Sequence, residues 1–108
     1  MVEIRIFETI SGKFPFLEWQ KKLDKLARSK MRARLDRIEL GNFGDCKAIG
    51  DGIFELRIDF GPSYRIYFGR HNTIVIVLLS GGDKSGQQRD INKAKCYWQE
   101  YKERLLHE

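Results

Sequence analysis

Glu55, Arg57, Asp59, Arg65 and Tyr67 occur within thirteen residues, all at odd-numbered positions. Around them Phe54, Leu56, Ile58, Phe60, Tyr64, Ile66 and Phe68 take the even positions. Successive side chains of a strand point to opposite faces, so this spacing predicts two strands with one apolar and one polar face. Pairing even with even requires an odd loop, and Gly61-Pro62-Ser63 supplies a three-residue one. The expected pairs are then Phe60 with Tyr64, Ile58 with Ile66 and Leu56 with Phe68. On the polar face Asp59 meets Arg65 and Arg57 meets Tyr67. Such a face suits phosphodiester chemistry. Arginine forks bind phosphate and stabilise charge developing in a transition state. A carboxylate accepts the proton of a 2′-hydroxyl, and an aromatic ring stacks a base. The same residues also fit a purely structural role. Asp59–Arg65 is then a surface ion pair worth under about 1 kcal/mol, and Arg57 covers Tyr67 by a cation–π contact.

Lys84 adds a cation where a strand gives way to a helix, a place where free N–H groups favour anions. Its segment, Gly81-Gly82-Asp83-Lys84-Ser85, lacks the spacing of a phosphate-binding P-loop. Cys46, Cys96, His71 and His107 have no zinc-ligand spacing. No GxSxG accompanies a serine nucleophile. No metal and no cofactor is expected.

The elements that must position these residues follow from periodicity. Val2, Ile4 and Ile6 alternate with charges and predict a first strand. Pro15 suits a first helical turn. Phe16, Trp19, Leu23 and Leu26 then form one stripe, and Ala27, Met31, Leu35 and Ile38 a second. The register shifts near Asp24, which predicts two helices in a hairpin, the second closed by Gly41. Residues 41 to 52 hold four glycines and read as loop. The two alternating strands follow. Thr73 to Ser80 is apolar and reads as a central strand buried on both faces. Ser85 and Gln88 fit a capping box for a last helix carrying Ile91, Ala94, Trp98, Tyr101 and Leu105. The expected order is β-α-α-β-β-β-α, an α+β fold with the helices packed on a mostly antiparallel sheet.

The 108 residues match one domain, 1–108. The net charge of +5 is unevenly placed. Lys21 to Arg37 contains eight basic and two acidic residues, leaving twelve basic and thirteen acidic elsewhere. Arg28, Lys30, Arg32, Arg34 and Arg37 within it are candidate contacts for RNA or another polyanion, or simply a solvated helix face. No run approaches the roughly 18 apolar residues of a membrane-spanning helix, and charges interrupt the N-terminus where a secretory signal needs an apolar stretch. A cytoplasmic protein with Cys46 and Cys96 as free thiols is expected.

The stretch Glu55 to Phe68, the apolar run Ile74 to Leu79 and Gly81-Gly82-Asp83-Lys84-Ser85 resemble the RelE/ParE toxin superfamily. Together with Ala33 to Asn42, Gly44-Asp45, Lys47, Asp90-Ile91 and Ala94-Lys95, they more closely resemble its HigB-like, phage-derived branch of addiction module killer proteins. The resemblance implies the toxin of a toxin–antitoxin module. Its RelE- and HigB-like members are ribosome-dependent mRNA endonucleases that use the 2′-hydroxyl as nucleophile and leave a 2′,3′-cyclic phosphate. It implies phosphate binding by Arg57 and Arg65, with Lys84 as acid towards the leaving 5′-oxygen. Glu55 stands where RelE has a lysine and is the candidate base. RelE has a tyrosine near the position of Asp90, and Tyr67 is the candidate to take over its stacking role. Implied partners are an antitoxin of helix-turn-helix type, the ribosome and mRNA, and operator DNA for the complex. Two other activities fit the superfamily: inhibition of DNA gyrase without catalysis, as in ParE, and an inactive module that only pairs with its antitoxin.

Overall fold

The computed structural model describes residues 1–73 and 75–107. The chain runs β1 (Glu3–Ile6), α1 (Pro15–Gln20), α2 (Lys25–Glu39), β2 (Cys46–Gly50), β3 (Ile53–Ile58), β4 (Tyr64–Arg70), β5 (Val75–Gly82), a 3-10 turn (Lys84–Gly86) and α3 (Gln87–Leu106). One sheet of order β1-β5-β4-β3-β2 is antiparallel except where β1 lies parallel to β5. The α+β arrangement is consistent with the RelE-like fold. Among the described residues, no helix is long and apolar enough to cross a membrane.

Side-chain alternation divides the sheet between two cores. Leu56, Ile58, Ile66, Phe68, Ile76 and Leu78 pack against Phe16 of α1 and Met31, Leu35 and Ile38 of α2. Ile53, Tyr67, Val77 and Leu79 face the other way, onto Ala94 and Trp98 of α3 and onto Phe7. The sheet is therefore covered on both sides. Gly69 and Gly81 allow the close approach. A β-carbon on Gly69 would overlap the Trp98 ring, and one on Gly81 the Trp19 ring.

The α2 stripe is buried as expected, and the Asp24 carboxylate caps the helix by accepting a 2.8 Å hydrogen bond from the Ala27 N–H. Gly41, at φ 93°, closes it. The expected stripe Phe16, Trp19, Leu23, Leu26 is cut, because α1 ends at Gln20. Leu26 falls in α2 on the side away from its buried stripe and is 57% exposed. Asp83 caps the 3-10 turn that leads into α3, its carboxylate accepting from the backbone N–H and hydroxyl of Ser85, while Gly86 stands at the N-cap of α3 with no side-chain bond. A 3-10 turn therefore replaces the capping box read at Ser85 and Gln88.

Two corrections concern the sheet. Residues 41 to 52 contain strand β2, an edge strand whose pairing to β3 shifts register between Ala48 and Gly50. Its short, glycine-bounded sequence carries no clear alternation, so only its partner reveals it. The turn between β3 and β4 also spans five residues, 59 to 63, with Gly61 and Ser63 at positive φ. The register slips by two from the three-residue expectation, placing Arg57 opposite Arg65 and Glu55 opposite Tyr67. A slip of two preserves parity, so every residue keeps its expected face. Of the predicted strand 73 to 80, Val75 onward lies in β5 between β1 and β4, while Ile74 is outside the described residues. Strand β5 continues through Gly81 and Gly82, where Gly82 pairs with Arg65.

Candidate active site

At the turn end of β3 and β4 the surface opens into a cleft of about 260 Å³. Asp45, Arg57, Ile58, Asp59, Ser63, Tyr64 and Arg65 line it. The register sets its two cations directly opposite each other. Like charges in that relation repel, and each is compensated by its own carboxylate. Arg57, 48% exposed, has Nε 3.3 Å from Asp45 Oδ2, and its Nε and Nη2 each lie 3.4 Å from Oδ1. The Arg57 N–H also donates to the Asp45 carbonyl at 2.9 Å. Arg65 is only 8% exposed. Its Nη1 donates to the Ser63 carbonyl at 3.0 Å, and its Nε lies 3.5 Å from Glu55 Oε2.

Glu55 is buried completely and lies behind the cleft rather than in its lining. Gln87 Nε2, from the start of α3, donates to its Oε2 at 2.7 Å, and Lys47 Nζ lies 3.9 Å from Oε1. A buried carboxylate needs such partners. The expectation that Glu55 shares an open face with the arginines is thus corrected. Its carboxylate faces Arg65, Gln87 and Lys47 and does not line the cleft.

Tyr67 is corrected more sharply. The ring is fully buried in the core under α3, so no base can stack on it. Burial first, and then the neighbouring Glu55, push its hydroxyl well above the ordinary tyrosine range. The aromatic residue at the cleft is instead Tyr64, half-buried with its ring edge-on to Trp19 at 6.1 Å. Lys84 is exposed in the 3-10 turn, two residues past Gly82, the partner of Arg65. It stands beyond the end of the Arg65 row and outside the cleft lining.

The chain matches the family model described as Phage derived protein Gp49-like over residues 18–100. It belongs to this Gp49-like family. The family is associated with toxin–antitoxin modules, and the matched span contains the whole cleft. An uncharacterised protein of Haemophilus influenzae is 51% identical over 86 residues, which is 79% of this chain and 87% of that one.

The basic segment of this Gp49-like protein lies largely on α2. Arg28, Lys30, Arg32 and Arg37 are exposed. They do not form one stripe. Arg28 and Arg32, four apart, share one flank of the helix, while Lys30, Arg34 and Arg37 share the other. Arg32 pairs with Asp36 at 3.6 Å, and Lys30 lies 5.5 Å from the centre of the Phe60 ring. Arg34 departs from the expectation of a free cation. Its Nη1 donates to the Arg57 carbonyl at 2.6 Å and its Nη2 to the Phe43 carbonyl at 3.3 Å. It braces the backbone on both sides of the Arg57–Asp45 pair.

Asp45, Ser63, Tyr64 and Gln87 join the site from the structure alone. Asp45 comes into place through β2, whose strand character was hidden. Tyr64 reads in sequence as one more apolar-face residue. Gln87 is 32 residues from the carboxylate it holds, and no local signal links them.

Proposed function

We propose that this protein is the toxin of a type II toxin–antitoxin module and acts as a ribosome-dependent mRNA endonuclease. The observation that carries the reading is the cleft in which Arg57 and Arg65 face each other across β3 and β4, each held by a carboxylate. Two guanidinium groups at one opening are suited to a phosphodiester and to the extra charge of its transition state. The family association and the sequence resemblance to RelE- and HigB-like toxins support the same reading. Arg57 and Arg65 bind the phosphate, and Lys84 supplies a proton to the leaving 5′-oxygen. Glu55 acts on Arg65 alone, by fixing its guanidinium.

The exposed cations Arg28, Lys30, Arg32 and Arg37 add a sequence-blind attraction to ribosomal RNA. The chain works as a single domain in the cytoplasm. Its antitoxin is of helix-turn-helix type, and the complex binds operator DNA. The test is primer extension on mRNA with ribosomes present, beside a gyrase supercoiling assay. Discrete cleavage that Arg65→Ala abolishes is expected. Full cleavage by Arg65→Ala refutes the cleft as the site. Inhibition of supercoiling without RNA cleavage places the protein with the gyrase inhibitors.

A further inference from the structure

Resting on the phosphodiester reading of the cleft, we infer that Asp45 is its proton acceptor, held on Arg57 until a phosphate takes its place. Three carboxylates lie in or behind the cleft. Glu55 is buried and engaged by Arg65 and Gln87. Asp59 lines the cleft from the five-residue turn, but among the described residues no ion pair ties it to Arg57 or Arg65. Asp45 is 55% exposed and lies within 3.4 Å of Arg57 at both carboxylate oxygens. Carboxylate and phosphate present similar oxygen pairs to a guanidinium fork, so Asp45 occupies the position that a phosphate would take.

Its placement does not depend on that side-chain contact. The Arg57 N–H holds the Asp45 carbonyl, and Arg34 holds the carbonyls of Phe43 and Arg57. Gly44 lets the Arg34 guanidinium lie close under the loop, where a β-carbon would come within 2.9 Å of its Nη2. When phosphate displaces it from Arg57, Asp45 therefore stays beside the bound group instead of swinging away.

In the reaction the 2′-hydroxyl proton passes to the Asp45 carboxylate as the O2′–P bond forms. The P–O5′ bond breaks, its electron pair stays on O5′, and that oxygen is protonated by Lys84 or water. The products are a 2′,3′-cyclic phosphate and a free 5′-hydroxyl. Asp45 then returns its proton to solvent.

The test separates binding from turnover. The binding probe is a short RNA carrying 2′-O-methyl groups throughout, which cannot react, titrated by fluorescence anisotropy. Asp45→Asn is expected to bind it several-fold more tightly, because the competing charge is gone. The same variant is expected to cut ribosome-bound mRNA at least about 100-fold more slowly, the lower end of what general-base catalysis contributes. A loss of structure would weaken both, so the opposite directions identify the role. Asp45→Ser serves as a second variant with the same two expectations, and circular dichroism checks both for folding. Weaker or unchanged binding, or unimpaired cleavage, overturns the role of Asp45. If wild-type binding is absent or indifferent to Arg65→Ala, the phosphate cleft itself is wrong and the inference falls with it.

Discussion

Replacing Glu55 by alanine tests the electrostatic design of the site most directly. Glu55 is fully buried and Arg65 is 8% exposed, with Nε 3.5 Å from Oε2. Removing the carboxylate leaves a buried guanidinium facing Arg57 across the strands, while Asp45 remains paired with Arg57. It also strands the Gln87 amide, which donates to Oε2. Breaking one side of a buried ion pair costs about 3–5 kcal/mol. For a domain near 100 residues, each kcal/mol moves Tm by about 4 °C or more. Calorimetry should therefore show Tm lower by about 12 °C or more for Glu55→Ala. The double variant Glu55→Leu/Arg65→Met removes both charges and should recover most of the loss, with an interaction energy above about 1 kcal/mol in the cycle. A Glu55→Ala protein melting within about 4 °C of wild type, the shift that a single kcal/mol produces, would refute the claim that Glu55 is the anchor of Arg65.

Gly69→Ala places a methyl group into the Trp98 ring and should cost about 1–3 kcal/mol by overpacking. Urea denaturation measures it, and Gly69→Ala with Trp98→Leu should relieve part of the loss. Arg34→Ala removes two hydrogen bonds to carbonyls and should destabilise by about 1–3 kcal/mol. Arg34→Lys cannot span both carbonyls and should rescue less than half of that loss in the same measurement. Because the Tyr67 hydroxyl is held above its ordinary range, the fold favours its protonated form. That contribution is complete below the unfolded tyrosine value of about 10 and is lost as pH rises through the folded value. Tyr67→Phe should therefore lose stability less steeply above about pH 10, as followed by thermal melts across alkaline buffers. An unchanged alkaline slope would place the hydroxyl in contact with water.

Local chemistry made much of this protein legible in its residues. Alternation at period 2 assigned the faces of β3 and β4, and these survived a two-residue error in the turn because parity is insensitive to it. The buried stripe of α2 and its Gly41 terminator follow from spacing and residue type within the segment itself. Arg57 and Arg65 stood out for the same local reason. Tertiary structure decided what covers each face and what lies beside each charge. Helix α3 roofs the odd-numbered face, so Tyr67 becomes core and Glu55 a buried anchor, although both alternate like solvent-facing residues. Strand β2 exists because β3 offers it hydrogen bonds, and it carries Asp45 to Arg57 from 12 residues away. Arg34, one more cation in a basic segment, becomes a brace because the loop at Phe43 and the end of β3 present it with carbonyls. Face and cap are set by neighbours along the chain. Burial and partnership are set by segments far apart in it that meet only when the two cores close around the sheet.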